Sequence, residues 1–294
     1  MKALTMKNYQ NFMIFFTFFL FWFSIQFGDV VQDSIAYVLV VSIGIFHGAN
    51  DLLILSTEEI NKKDKRNNIL IYLGIILLCM LLYFLMPFVS MLLFIFLSSY
   101  HFGEEHLEEK IKVNSFFNTF YFLTYGLLIF SMLFYESIVD VDKIMLELTQ
   151  STFTKFQIKM SLISSLVVLS LMSLYLILIK KQDILFFGRE LFYLGLLFLV
   201  FKTSSLIMSF AIYFILWHSI PSIIHQVEYI SGDFNKKNVL FYLKKGLLNW
   251  GISILGLGIV YLFFLEINVF ASIVFMILFA VTAPHAWVMF KMKK

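Results

Sequence analysis

The residues in this chain best suited to chemistry are its histidines. There are six of them: His47, His101, His106, His218, His225 and His285. Each lies in or at the end of a long apolar segment, where an ionisable side chain costs free energy and usually serves a function. Imidazole without thiolate is a ligand for iron, copper or zinc. The set therefore predicts a metal site, whereas one such histidine alone would more often form an interhelical hydrogen bond.

The composition indicates which kind of element carries these histidines. Of 294 residues, 61% are hydrophobic and 14% are charged, which leaves too little polar surface to cover a soluble domain. The apolar segments have the length of about 20 residues that a helix needs to cross a bilayer. The net charge of +3 does not indicate nucleic-acid binding. A single cysteine, Cys79, excludes an intrachain disulfide and a multi-cysteine metal site.

We predict an all-α polytopic membrane protein with one transmembrane domain over residues 1–294. The apolar stretch after Lys2 and Lys7 lacks a cleavage motif and is interpreted as a retained first helix. A short surface helix is predicted within 135–157. About ten transmembrane helices are predicted: 11–27, 34–57, 68–85, 87–107, 114–134, 158–180, 185–202, 204–229, 246–265 and 268–290.

The positive charges predict the orientation of these helices. With both termini in the cytoplasm, most of the 22 lysines and arginines fall on the inner side. The outer side then holds only Lys143, Lys155, Lys159 and Lys202. This asymmetry is typical of proteins of the cytoplasmic membrane and requires an even number of helices.

Four histidines share one predicted depth. His47, His101, His218 and His285 lie on helices that all run inward, and at 1.5 Å per residue their depths differ by about 6 Å. Four imidazoles can therefore meet in one layer, while His106 and His225 fall nearer the inner helix ends.

Acidic residues come after two of these histidines at helical spacing. Asp51 is one turn after His47, and Glu104 and Glu105 are one turn after His101. Carboxylates in such positions can orient a ligand imidazole, or they can simply meet the inner headgroups.

Four segments around the histidines resemble the Brp/Blh family of membrane β-carotene 15,15′-dioxygenases. Their order and helix context agree with that family, and the resemblance covers about 40–290. The segments are Ile43-Gly-Ile-Phe-His-Gly-Ala-Asn-Asp51, Tyr100-His-Phe-Gly103, Trp217-His-Ser219 and Thr282-Ala-Pro-His285.

The resemblance implies a non-haem Fe(II) enzyme that splits the central double bond of β-carotene with O₂. Its product would be two molecules of retinal, typically passed to a rhodopsin. The resemblance makes His47, His101 and His218 iron ligands. The family usually has a further ligand histidine four residues after the one matching His218, where this chain has Ser222.

The fourth ligand is therefore an open question in the sequence. His285 is the first candidate because its depth matches, and His225 is the second because it lies on the same face as His218. His106 is a further alternative. If neither His285 nor His225 serves, the site has three histidines, or the activity is altered or lost.

Two other classes of protein remain open at this point. A di-iron membrane desaturase or hydroxylase would use His101 and His106 as an H-x₄-H box, but it normally needs about eight histidines. A non-enzymatic haem- or metal-binding membrane protein is the second class, and axial ligation of a haem needs only one or two histidines.

Overall fold

The computed structural model describes residues 2–57, 62–263 and 270–292, and every regular element in these ranges is helical. The all-α prediction is confirmed. The described helices are α1 (Lys2–Gln26), α2 (Asp29–Ser56), α3 (Lys62–Leu85), α4 (Pro87–Leu107), α5 (Ser115–Glu136), α6 (Ile138–Thr149), α7 (Lys155–Leu178), α8 (Ile184–Thr203), α9 (Leu206–Ser231), α10 (Lys236–Phe263) and α11 (Phe270–Met292).

Six of these helices are long and apolar enough to cross a membrane: α2, α3, α5, α7, α8 and α9. The chain therefore has the character of a membrane protein. The short surface helix predicted within 135–157 is present as α6. Several helices begin earlier than predicted, and the largest differences are at α1, which begins at Lys2, and at α10, which begins at Lys236. Both extensions are rich in lysine, which is a good helix former and continues a helix beyond its apolar part.

Helix α9 lies at the centre of the bundle. Its most apolar stretch is 83% buried, compared with 11% for α3 and 17% for α7. A helix that is apolar all round belongs in a core or in lipid. The low burial of α3 and α7 places them at the periphery, and the high burial of α9 places His218 in the interior.

Helix α2 is irregular just before its histidine. Its backbone changes to π-helical geometry over Val40–Gly44, and such wider turns release carbonyl groups from the regular ladder. Side chains of α10 take up carbonyls here: Trp250 Nε1 donates to Val41 O at 3.1 Å, and Asn249 Nδ2 donates to Ala49 O at 2.8 Å. Irregular backbone is tolerated at membrane depth only when neighbours satisfy it in this way.

Helix α9 has a second π-helical segment, Tyr213–Ser219, which contains His218. Pro221 comes just after it, and because proline has no N–H it cannot donate to the carbonyl four residues earlier. The hydroxyl of Tyr9 on α1 donates to the Leu216 carbonyl inside the π-helical segment. His218 thus lies within a π-helical segment and His47 comes three residues after one, and neighbouring helices hold both segments.

Helices α4 and α5 pack with their backbones in contact. A Cβ atom added at Gly103 would overlap the carbonyl oxygen of Phe122, and one at Gly126 would overlap that of Ser99. Small residues are what allow membrane helices to approach so closely. The glycine of the His-Phe-Gly segment therefore sets how far α4 lies from α5, and with it the position of His101.

Candidate metal centre

The four histidines predicted to share one depth form a closed ring of imidazoles. Going round the ring, the centroid separations are 4.5 Å from His47 to His285, 5.2 Å to His101, 4.7 Å to His218 and 5.3 Å back to His47. Neighbouring rings are nearly perpendicular, at 76–85°. Helices α2, α4, α9 and α11 each contribute one imidazole.

The donor set fits a metal ion. One ligand atom from each of His47, His218 and His285 lies within 4.8 Å of the others. Two nitrogens that bind one tetrahedral ion are about 3.3 Å apart, so a small inward movement of the side chains would bring these three onto one ion. His101 adjoins the three through His218 and His285. All four imidazoles are buried. Among the described residues, His285 Nε2 has no hydrogen-bond partner, and a buried nitrogen of that kind requires an explanation. A metal ion would supply its partner.

Two of the imidazoles are oriented by hydrogen bonds from their outer nitrogens. His47 Nδ1 donates to the carbonyl oxygen of Gly44, in the π-helical segment of its own helix. His285 Nδ1 donates to Asp51 Oδ1 at 2.8 Å, and Asp51 Oδ2 accepts from the Tyr72 hydroxyl at 3.2 Å. A hydrogen bond at Nδ1 fixes the tautomer and leaves Nε2 with the lone pair that a metal binds.

Asp51 therefore orients a different histidine from the one that its spacing suggests. It is one turn after His47, yet its carboxylate contacts His285 on α11. Gly48 packs beside this contact, where a Cβ would lie at an ordinary van der Waals distance of 3.8 Å from His285 Nδ1. Spacing along one helix cannot reveal a partner that arrives from another helix.

Ser222 is connected to His47 through a hydrogen-bond chain. Gln226 Nε2 donates to the Ser222 hydroxyl at 3.1 Å and to the His47 carbonyl at 3.0 Å. The Tyr242 hydroxyl donates to Gln226 Oε1 at 2.7 Å. The hydroxyl of Ser222 also lies 3.5 Å from Met289 Sδ. Ser222 therefore helps to hold Gln226, and Gln226 supports the backbone of α2 at His47.

The other acidic candidates contact groups outside the ring. Glu105 Oε1 lies 2.7 Å from His225 Nδ1, so the second candidate for the fourth ligand pairs with a carboxylate below the ring. Glu104 Oε1 accepts from the Tyr100 hydroxyl at 2.6 Å.

His106 belongs to a separate buried charge cluster. Its Nε2 lies 2.7 Å from Glu190 Oε2, and Lys110 Nζ donates to Glu190 Oε1 at 3.1 Å. The Tyr125 hydroxyl donates to the same carboxylate at 3.0 Å. This cluster joins α4, α5 and α8. A buried carboxylate is stable when it is paired and hydrogen-bonded like this, so the geometry gives His106 a structural role.

Aromatic side chains cover the ring on its apolar side. Phe102 lies 4.4 Å from His218 between centroids, and Phe214 lies 5.3 Å from His47 and stacks on His218 at 5.7 Å. These contacts exclude water, which strengthens electrostatic interactions within the site.

Sequence reasoning missed the partners that hold the site together. Tyr72, Gln226 and Glu190 lie on helices far along the chain from the histidines that they support. Two prolines in the sequence predict irregular backbone near a histidine: Pro221, three residues after His218, and Pro284, directly before His285.

Comparison with known proteins identifies the family. The profile of the family described as beta-carotene 15,15'-dioxygenase matches residues 38–293, most of the chain. No curated protein and no solved structure matches the chain. The matched range includes all six histidines. The chain therefore belongs to the beta-carotene 15,15'-dioxygenase family, as the resemblance of its histidine segments predicted.

Proposed function

We propose that this member of the β-carotene 15,15′-dioxygenase family cleaves the central double bond of β-carotene with O₂. Both oxygen atoms are used, one in each aldehyde, so one carotene gives two molecules of retinal. The closed ring of four buried imidazoles carries this proposal. An all-nitrogen donor set of this kind suits non-haem iron and leaves open positions beside the metal.

In this proposal His47, His101, His218 and His285 hold Fe²⁺. The iron supplies activation of O₂ when it is bound. Asp51 and the Gly44 carbonyl keep the Nε2 atoms of His285 and His47 directed inward. Phe102 and Phe214 keep water away from the reacting double bond.

The arrangement of the four histidines favours a site for one iron over a di-iron site or a haem. A di-iron desaturase would need His106 beside His101 as a ligand, but His106 pairs with Glu190. Axial haem ligation would use one or two histidines and leave the others of the ring unexplained. His285 is better placed than His225 for the fourth position, because His285 lies 4.5 Å from His47 and 5.2 Å from His101 between centroids. His225 comes seven residues after His218, about 10 Å further along α9.

The membrane setting is part of the same proposal. Ten helices span the cytoplasmic membrane with both termini inside, as the charge asymmetry indicates. β-Carotene reaches the site from the bilayer, and retinal leaves through lipid to a rhodopsin.

The Asp51→Asn variant is expected to bind iron about 10- to 100-fold more weakly than wild type, the usual cost of losing a partner that orients a ligand histidine. The amide can still contact His285 but does not stabilise the same tautomer by charge. Iron retained against graded chelator measures the effect. Tyr72→Phe is the matched control, since it removes only the 3.2 Å hydrogen bond to Asp51. Equal retention in both variants would contradict the assignment.

The test of the function is expression in cells that accumulate β-carotene. We expect loss of the orange colour, appearance of retinal and one iron per purified chain. Two irons per chain would indicate the desaturase alternative, and a haem absorption band would indicate the haem-binding alternative. Unchanged carotene with iron-loaded protein in the membrane would refute central cleavage of β-carotene.

A further inference from the structure

Two apolar cavities share a wall above the histidine ring. The larger one, about 240 Å³, lies between α4, α5 and α7. The smaller one, about 30 Å³, lies between α4, α5, α6 and α9. Phe130 and Phe134 line both cavities, so a rotation of these two side chains would join them.

The smaller cavity lies in line with the ring. Phe94 lines it and precedes His101 by two turns of α4, so it lies on the same face about 10 Å away. Phe210 also lines it and stacks on Phe214 at 5.2 Å, which in turn stacks on His218 at 5.7 Å. A column of aromatic side chains thus leads from this cavity to the four histidines.

The larger cavity opens towards the bilayer. Phe96, which lines it, is 47% exposed on the outer surface of α4. Leu92 and Ile95 are on the same wall. A hydrocarbon dissolved in lipid can therefore enter from the side, between helices, without crossing water.

The distance from His101 to the larger cavity, and the volume of that cavity, suit one end of a carotenoid. About nine bonds separate the central double bond of β-carotene from its ring, and at about 1.2 Å per bond of an extended chain this is about 11 Å. Leu92 and Ile95 lie about 9–14 Å from His101 along α4. The larger cavity also exceeds the roughly 150 Å³ that accommodates benzene, so it has room for one substituted six-membered ring.

A pair of hydroxyl groups interrupts the apolar wall. Ser131 Oγ and Ser161 Oγ are 2.7 Å apart, and both residues line the larger cavity. In the described part of the chain, these hydroxyls hydrogen-bond only to each other. Each carries one hydrogen, and the shared bond uses one of the two. The other is available to an oxygen atom on a bound molecule.

We infer that the two cavities sharing Phe130 and Phe134 bind one ring end of the carotenoid, and that the Ser131–Ser161 pair hydrogen-bonds to a hydroxyl on that ring. The inference rests on the proposed function and adds to it a class of substrate, carotenoids with hydroxylated rings. The central double bond lies at the histidine ring while the end ring occupies the larger cavity.

The test compares β-carotene with its 3,3′-dihydroxy derivative, zeaxanthin, using purified iron-loaded protein in detergent micelles. Leu92→Trp fills the larger cavity and is expected to lower kcat/KM about tenfold for both compounds. Leu93→Trp is the matched control, because Leu93 is exposed and does not line the cavity. Iron content and helical circular dichroism verify that both variants are folded.

The double variant Ser131→Ala, Ser161→Ala tests the hydroxyl site. It should lower kcat/KM for zeaxanthin about three- to tenfold more than kcat/KM for β-carotene, because only zeaxanthin loses a hydrogen bond to the site. Ser170→Ala, on the exposed side of α7, is the control. Equal rates for Leu92→Trp and Leu93→Trp would overturn the ring-end site, and an equal effect of the double serine variant on zeaxanthin and β-carotene would overturn the hydroxyl site. Wild-type protein inactive on both compounds would overturn the proposed function itself.

Discussion

Replacing His101 with alanine is expected to abolish retinal formation and to remove most of the bound iron. The substitution leaves a gap in the ring of four histidines, between His218 at 4.7 Å and His285 at 5.2 Å from His101. Partners that merely orient a ligand cost 10- to 100-fold when lost, so loss of a direct ligand should cost more than about 100-fold. Retinal released per minute and iron per folded chain are the two measurements.

The neighbouring His106 provides a control on the same helix. His106→Ala removes an imidazole from the Glu190 cluster and leaves the ring intact. We expect a lower melting temperature, because Glu190 and Lys110 lose a partner in a buried network, but normal iron per folded chain. If iron were retained in His101→Ala and lost in His106→Ala, the metal would be assigned to the Glu190 cluster and the four-histidine metal site would be refuted.

The same measurements decide the fourth ligand. His285→Ala should behave like His101→Ala, because His285 is a member of the ring. His225→Ala should retain iron, since His225 lies about 10 Å beyond His218 along α9, nearer the end of the helix. The reverse result would make His225 the ligand and leave His285 a structural partner of Asp51.

Gly103→Ala is expected to lower both the yield and the thermal stability of the folded protein. The added Cβ would overlap the backbone carbonyl of Phe122, which cannot rotate away as a side chain can. Overpacking a well-packed interior costs about 1–3 kcal/mol, occasionally more. Relief requires α4 and α5 to separate, which also displaces His101.

Gly195→Ala on α8 is the matched control for this prediction. Nothing lies within 4 Å of a Cβ at that position, and alanine is favoured over glycine in a helix by about 0.5–1 kcal/mol. Melting in detergent should therefore show a lower transition temperature for Gly103→Ala and an equal or higher one for Gly195→Ala. Equal temperatures for the two variants would show that α4 and α5 are not in backbone contact.

The helices and the depth of the histidines could be predicted without coordinates. Long apolar segments must pair their backbone groups internally in lipid, so they become helices. A helix rises by a constant 1.5 Å per residue, so counting from its end places a side chain in depth. The same regularity identified His47, His101, His218 and His285 as members of one layer.

Pairing between helices could not be predicted, because it depends on how each helix is rotated and bent. Asp51 is one turn from His47 but contacts His285, and His106 is near His101 in the chain but contacts Glu190. The π-helical segments Val40–Gly44 and Tyr213–Ser219 change the rotation of the helical turns after them.

The sequence by itself thus determined the kind of element, the layer of histidines and the family, all of which depend on local regularity and residue type. Only the tertiary structure decided which histidines face one another and which carboxylate orients which ring. It also decided that Gly103 brings two backbones into contact. These features depend on side chains from distant parts of the chain meeting in a close-packed interior, where a small rotation of a helix changes every neighbour.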